Sequence, residues 1–148
     1  MKTNEVYLRH ILDAIQQIES YTSGIDREEF RSDRMRQDAV IRQIEVIGEA
    51  SRQLSDDFQE EHNTIPWADI IGMRNRIAHD YTNVDLDIVW EVIHHDMPTL
   101  KDTVKRIFES LFPPFRPDAK LRRDPLLVLP SALPVMQRSA LSSDEPAV

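Results

Sequence analysis

Residues 65–81, IPWADIIGMRNRIAHDY, predict the helix around which the rest of the fold is arranged. Pro66 suits the first position of a helix, because the N–H that proline lacks would have no helical partner there. Apolar side chains then recur at helical spacing, at Ile70, Met73 and Ile77. We therefore expect a helix that begins at Pro66 or Trp67, buries this apolar stripe and ends near His79.

Two earlier segments show the same helical period. The first contains Leu8, Ile11, Leu12, Ile15 and Ile18, with Gly24 after its end. The second contains Val40, Ile44, Ile47 and Leu54, and Gly48 and Ala50 would allow another helix to approach it closely. Between them, Asp26 and Glu29 have the spacing of a capping box for a short turn that carries Phe30.

A fourth helix follows the motif, capped by Asp85 or Asp87 and kinked in its interior at Pro98. Its apolar positions are Ile88, Val92, Leu100, Val104, Ile107 and Leu111. No segment alternates apolar and polar residues as a strand would. The sequence thus predicts an all-α fold, an up-and-down bundle of four main helices within residues 1–112.

Residues 113–148 differ in composition from the rest of the chain, because they hold seven of its nine prolines. Proline interrupts helices, so we expect an extended, Pro-rich C-terminal tail outside the helical domain. Its apolar segment LLVLP, residues 126–130, could dock in a groove of a second subunit or a partner. The alternative is a frayed terminus without a role.

The composition is that of a single globular domain: 148 residues, of which 41% are hydrophobic and 30% charged. The chain has no cysteine, which excludes disulfides and thiolate metal sites and is compatible with a reducing compartment. The N-terminus has no signal-peptide pattern, and no apolar run reaches the roughly 20 residues of a membrane span. We expect a cytoplasmic protein that does not enter a membrane.

Arg74 and His79 are the strongest candidates for chemistry. Arginine can hold a phosphate with two parallel hydrogen bonds, and histidine exchanges a proton near neutral pH, so the pair suits phosphodiester chemistry. On a continuous helix Asn75 and His79 would be i,i+4 neighbours, whereas Arg74 would lie roughly 140° away from His79. Arg74 must then reach along a surface or meet the histidine of another subunit. Alternatively, both are solvent-facing helix residues and Tyr81 is a partly buried residue at the helix end.

Four segments together resemble the HepT-like proteins of the HEPN superfamily. They are the IGEA of the second long helix, the IPW helix start, GMRNRIAHDY, and the VW of the following helix. The resemblance covers most of residues 5–112, and several ordered segments are more specific than an R-x4-H-x-Y pattern alone.

The resemblance implies an all-helical ribonuclease toxin that acts as a homodimer without a catalytic metal or cofactor. Its active site would contain Arg74 and His79, supported by Asn75 and Tyr81 in RNA binding. The partner would be a nucleotidyltransferase antitoxin, as in type VII toxin–antitoxin pairs, which silences the toxin by attaching AMP to Tyr81. The RNA would be cleaved by attack of its own 2′-hydroxyl, with His79 as general base or acid and Arg74 on the scissile phosphate.

The net charge of −8 is the main objection to a nuclease, since nucleic-acid-binding domains usually have a basic surface. Arginines are nevertheless concentrated locally, at Arg27, Arg31, Arg34, Arg36 and Arg42. Because acidic residues are interleaved with them, we expect most of this cluster to be an ion-paired surface.

Two other function classes remain open. One is a non-catalytic helical dimer that binds nucleotide or serves as substrate for a nucleotidyltransferase. The other is a purely structural dimerisation module. A metal site at His94, His95 and Asp96 is disfavoured, since adjacent helical residues diverge by about 100°.

Overall fold

A computed structural model describes residues 3–78, 83–113 and Met136. These ranges are helical apart from short connections and one antiparallel bridge between Ala78 and Val84. The helices are α1 (Asn4–Thr22), α2 (Arg27–Ser32), α3 (Arg34–Gln53), α4 (Asp56–Glu61), α5 (Trp67–Ile71), α6 (Met73–Ile77), α7 (Leu86–Glu91) and α8 (Met97–Leu111). A π-helical turn, Val92–Asp96, joins α7 to α8. The predicted all-α class is confirmed.

The centre of the core lies between α1 and α3, which pack together along their lengths. Most of the predicted stripe positions are buried: Leu8, Ile11, Ile15 and Ile18 on α1, and Val40, Ile44 and Ile47 on α3. Leu12 of the α1 stripe is partly buried and packs against this core. Burial of each such side chain stabilises the fold by about 1.5–3 kcal/mol before conformational entropy is counted. Helix α8 packs against α1, and α5 and α6 pack against α3.

The connection from α1 to α3 follows the predicted capping pattern. Gly24 has a φ of 75°, which glycine adopts without steric penalty. The Asp26 carboxylate accepts a hydrogen bond from the Glu29 N–H at 2.8 Å and thereby caps α2. Phe30 on this short helix is fully buried, and the Gln37 amide donates to the Phe30 carbonyl oxygen at 2.8 Å.

Gly48 allows α3 and α5 to approach closely, as the sequence predicts. A Cβ atom at this position would lie 3.3 Å from the carbonyl oxygen of Ile70 and 3.4 Å from that of Ile71. Any larger side chain would push α5 outward. The contact therefore sets the distance between α3 and the segment that carries the motif.

The predicted fourth helix is divided into α7, the π-helical turn and α8. Asp85, not Asp87, is the cap, since its carboxylate accepts from the N–H groups of Asp87 and Ile88. The sequence predicts a kink at Pro98, and the structure has the π-helical turn just before this residue. Proline has no N–H, and its ring crowds the carbonyl group four residues earlier, so the regular helix is interrupted there. Of the apolar positions that the sequence assigns to this helix, Leu111 is 47% exposed, at the end of α8.

Beyond Pro113, the structure describes Met136 of the predicted tail. This residue lies in the hydrophobic core, with 1% of its surface exposed. Its N–H donates a hydrogen bond of 2.8 Å to Oδ2 of Asp96, a fully buried carboxylate. The LLVLP segment lies outside the described residues. None of the helices in the described ranges combines the length and apolarity that a membrane span requires.

Candidate functional site

The motif segment begins on α5 and α6, which form one nearly continuous helical stretch through Gly72. The N–H of Gly72 donates to the Ala68 carbonyl oxygen at 3.0 Å, and its own carbonyl oxygen accepts from the Asn75 N–H at 3.1 Å. The predicted apolar stripe is confirmed, because Ile70, Met73 and Ile77 are buried. This burial fixes the rotation of the helix and so decides which way its polar residues face.

Helix α6 ends earlier than the sequence predicts. Its last residue is Ile77, and Ala78 has extended dihedral angles, φ −83° and ψ 123°. Ala78 forms the antiparallel bridge with Val84, and the Asp85 N–H donates to the Ile77 carbonyl oxygen at 2.7 Å. The i,i+4 relationship expected for Asn75 and His79 requires a helix that continues through Ala78, whereas Ala78 is extended; His79 itself lies outside the described residues.

His79 and Tyr81, two of the four predicted site residues, lie outside the described residues. The structure does describe the chain on both sides of them. The bridge between Ala78 and Val84 brings the end of α6 next to the residues that lead into α7. The segment containing both candidates is thus attached at both ends to the same region.

Arg74 points from α6 to α3, where its Nε atom lies 2.8 Å from Oε1 of Glu45. The two side chains are 35% and 36% exposed, so the pair lies at the surface without being fully solvated. This contact directs the guanidinium of Arg74 along the protein surface toward α3. Because His79 lies outside the described residues, the contact does not decide whether Arg74 meets the histidine of its own chain or that of another subunit. Asn75, the adjacent residue, is exposed.

Arg76, the second arginine of the motif, is held within its own helical stretch. Its Nη2 atom lies 2.8 Å from Oδ1 of Asp69, and its Nη1 donates to the Asp69 carbonyl oxygen at 3.1 Å. Because both terminal nitrogens are engaged, Arg76 stabilises the helix α5–α6 stretch and is poorly placed to bind a phosphate. Arg74 is the better candidate.

The arginine cluster of residues 27–42 is ion-paired, as predicted. Its pairs are Arg27 and Arg31 with Asp87, Arg34 with Asp38, Arg36 with Asp33, and Arg42 with Glu45. The hydrogen bond from Arg31 lowers the pKa of Asp87 and raises the pKa of Arg31 itself. A depression of about 380 Å³ next to this pair is lined by Arg31 and by Val84, Asp85, Leu86 and Asp87.

His94 and His95 lie in the π-helical turn and are exposed. Nδ1 of His94 lies 2.9 Å from the Trp90 carbonyl oxygen, and its ring stacks on that of Trp90 with centroids 4.1 Å apart. Within residues 3–78 and 83–113, no group of three histidine, aspartate or glutamate side chains is arranged to share a metal ion.

Glu45 is the site residue that the sequence did not predict. It lies 29 positions from Arg74 in the chain, and only the packing of α3 on α6 brings the two together. Glu45 and Arg42, three residues apart on α3, resemble an ordinary surface pair. A single sequence therefore gives no signal for its contact with the motif.

Comparison with known proteins gives one family. Residues 11–107 match the family model described as "Ribonuclease HepT-like". A "Probable ribonuclease HepT" of Thermococcus cleftensis is 38% identical over 72% of this chain and 96% of its own length. A "Putative RNase" of Caldanaerobacter subterraneus subsp. tengcongensis is 38% identical over 74% of this chain and 98% of its own length.

A third relative is longer. A "Gamma-glutamylcyclotransferase and putative RNase" of Methanocaldococcus jannaschii is 43% identical over 74% of this chain, and the match spans 50% of that protein. No solved structure shows a significant match. All three relatives are named as ribonucleases, alone or together with a second activity.

Proposed function

Since the chain belongs to the HepT-like ribonuclease family, we propose that it is a metal-independent endoribonuclease whose active site contains Arg74 and His79. The observation that carries the proposal is the exposure and hydrogen bonding of the Arg74 guanidinium. It is partly exposed, it is held through Nε, and among the described residues its terminal nitrogens have no hydrogen-bond partner. That edge of a guanidinium matches two oxygens of a phosphate.

The proposed reaction needs only groups that the RNA and the protein supply. The 2′-oxygen attacks the neighbouring phosphorus, and the bond from phosphorus to the 5′-oxygen breaks. The proton of the 2′-hydroxyl is removed by a base and the leaving 5′-oxygen gains a proton; His79 performs one of these transfers. Arg74 stabilises the charge on the non-bridging oxygens. The products are a 2′,3′-cyclic phosphate and a 5′-hydroxyl.

Exchange of single residues tests the assignment. Arg74→Ala and His79→Ala should each lower cleavage of a single-stranded RNA oligonucleotide by about 10²–10³-fold, the usual loss for a cation or a proton-transfer group that acts in the transition state. Arg52→Ala is the matched control, because Arg52 is a surface arginine paired with Glu49 on α3. Activity of both motif variants at the level of this control would refute the proposal. RNA binding without turnover in the wild type would favour the non-catalytic nucleotide-binding module instead.

The proposed active unit is a homodimer, with Arg74 of one chain near His79 of the other. A two-fold axis brings the same surface of both chains together and so creates two equivalent sites. A mixture of Arg74→Ala and His79→Ala chains tests this, because one site of each mixed dimer would hold both intact residues. Activity should return when the two inactive variants are mixed. If it stays absent in verified mixed dimers, the site is not shared in this way.

Tyr81 is the proposed point of control by a nucleotidyltransferase antitoxin. Its phenolic oxygen would attack the α-phosphorus of ATP and release pyrophosphate, leaving AMP on the tyrosine. Each phosphate adds negative charge close in sequence to Arg74 and His79, where RNA must bind, and so excludes RNA by charge and volume. With antitoxin and ATP present, wild-type protein should gain AMP and lose activity. Under the same conditions Tyr81→Phe should keep the ribonuclease activity that it has without antitoxin. Complete inactivation of this variant by antitoxin and ATP would contradict the role of Tyr81.

A further inference from the structure

Glu45 connects the middle of α3 to the motif. Its Oε1 atom lies 2.8 Å from Nε of Arg74, a contact between residues 29 positions apart in the chain. The contact depends on tertiary packing, because α3 and α5 approach each other at Gly48, one helical turn from Glu45. The carboxylate is thus held at a defined distance from α6.

The choice of the guanidinium nitrogen determines what the contact can do. A guanidinium is planar and carries five N–H donors, one on Nε and two on each terminal nitrogen. Glu45 occupies the Nε donor of Arg74. Its contact therefore restrains the plane of the group and leaves the edge formed by the two terminal nitrogens for a ligand. Asp69 holds Arg76 in the opposite way, since it engages both terminal nitrogens.

The local charge is compatible with an anionic ligand despite the carboxylate. Oε2 of Glu45 also lies 3.4 Å from Nη1 of Arg42, a largely exposed residue. Two cations, Arg42 and Arg74, therefore contact one carboxylate, and the three side chains together have a net charge of +1. A phosphate on the outer edge of Arg74 would meet this positive balance.

We infer that Glu45 is a positioning residue for Arg74, which orients the guanidinium so that its terminal nitrogens bind the scissile phosphate of RNA. The inference rests on the proposed ribonuclease function. Because a partly exposed ion pair contributes little to folding stability, the effect of Glu45 should appear in turnover.

The test compares two substitutions of Glu45 with one at a neighbouring glutamate. Glu45→Ala frees the guanidinium to rotate, and should lower kcat by about 10- to 100-fold with a smaller change in KM, since misplacement of a group by about 1 Å can have such an effect. Glu45→Gln keeps an oxygen that accepts from Nε and should stay within about fivefold of the wild type. Glu49→Ala is the matched control, because Glu49 is on the same helix and pairs with Arg52. It should behave as the wild type.

The readout is cleavage of a mixed-sequence single-stranded RNA oligonucleotide carrying a fluorophore and a quencher, with melting temperatures measured in parallel. Loss of kcat in Glu45→Ala, rescue in Glu45→Gln and unchanged melting temperatures would support the positioning role. Equal kcat for Glu45→Ala and Glu49→Ala would overturn it, and so would an equal loss for Glu45→Ala and Glu45→Gln.

Arg74→Ala separates failure of this inference from failure of the proposed function. If Arg74→Ala is inactive and Glu45→Ala is fully active, the ribonuclease assignment stands and the role of Glu45 is refuted. If Arg74→Ala is fully active, both fail. The double variant Glu45→Ala, Arg74→Ala should be no less active than Arg74→Ala alone, because Glu45 acts through Arg74.

Discussion

The backbones of Ala78 and Val84 form an antiparallel bridge, next to which the Asp85 N–H donates to the Ile77 carbonyl oxygen at 2.7 Å. The bridge joins the end of α6 to the start of α7. It therefore attaches both ends of the segment with His79 and Tyr81 to the region of Arg74. If Arg74 and the segment after α6 form the proposed active site, turnover should depend on this attachment, because small displacements reduce turnover strongly.

Val84→Gly should weaken this attachment. Glycine makes the chain more flexible and removes a side chain that packs against the core. We expect turnover of the RNA oligonucleotide to fall by about tenfold, with a loss of about 1 kcal/mol in the free energy of unfolding. Asn63→Gly, in the exposed connection before α5, is the control. Unchanged turnover in Val84→Gly would show that the bridge is dispensable.

Gly48→Ala should destabilise the protein although alanine favours helices. The added Cβ would lie 3.3 Å from the Ile70 carbonyl oxygen, which belongs to a helix backbone and cannot move freely. Steric strain of about 1–3 kcal/mol exceeds the gain of about 1 kcal/mol in helix propensity. Chemical denaturation should therefore show a net loss. A more stable variant would mean that α5 moves aside without penalty.

Met136 should contribute to stability although it lies far beyond the last long helix. Met136→Ala removes a buried side chain and should lower the free energy of unfolding by about 2 kcal/mol or more. Met35→Ala is the control, because Met35 is 84% exposed. Asp96→Ala should also destabilise, since it leaves the Met136 N–H without its carboxylate. Equal stabilities of Met136→Ala and Met35→Ala would contradict the observed packing.

His62 should make stability depend on pH. The centroid of its ring lies 4.5 Å from that of Phe58. Burial lowers the pKa of His62 from the ordinary 6.5, and the negative charge of Glu61 opposes this shift. The unfolded chain therefore binds the proton more readily than the folded one. The stability that neutral His62 contributes is fully present above pH 6.5 and is lost as the pH falls through the folded pKa. His62→Gln should show a flatter pH dependence of the unfolding free energy than the wild type; identical curves would contradict this.

The sequence predicted those parts of the fold that depend on hydrophobic periodicity. Repeated apolar positions identified α1, α3 and the α5–α6 stretch, and Gly48 identified a close approach between helices. The sequence did not predict that α6 stops at Ile77, because the stop depends on pairing of Ala78 with Val84. Glu45 was missed for the same reason, since its contact with Arg74 joins segments that are distant in the chain. The roles of His79 and Tyr81 remain predictions.

The most direct measurement of the central proposal is the end chemistry of RNA incubated with the purified protein in EDTA, beside an Arg74→Ala, His79→Ala double variant prepared identically. We predict that the wild type alone cleaves the RNA, and that each cut leaves a 2′,3′-cyclic phosphate on the upstream product and a 5′-hydroxyl on the downstream product. Intact RNA with the wild type, or equal cleavage by the double variant, would contradict a metal-independent ribonuclease centred on Arg74 and His79.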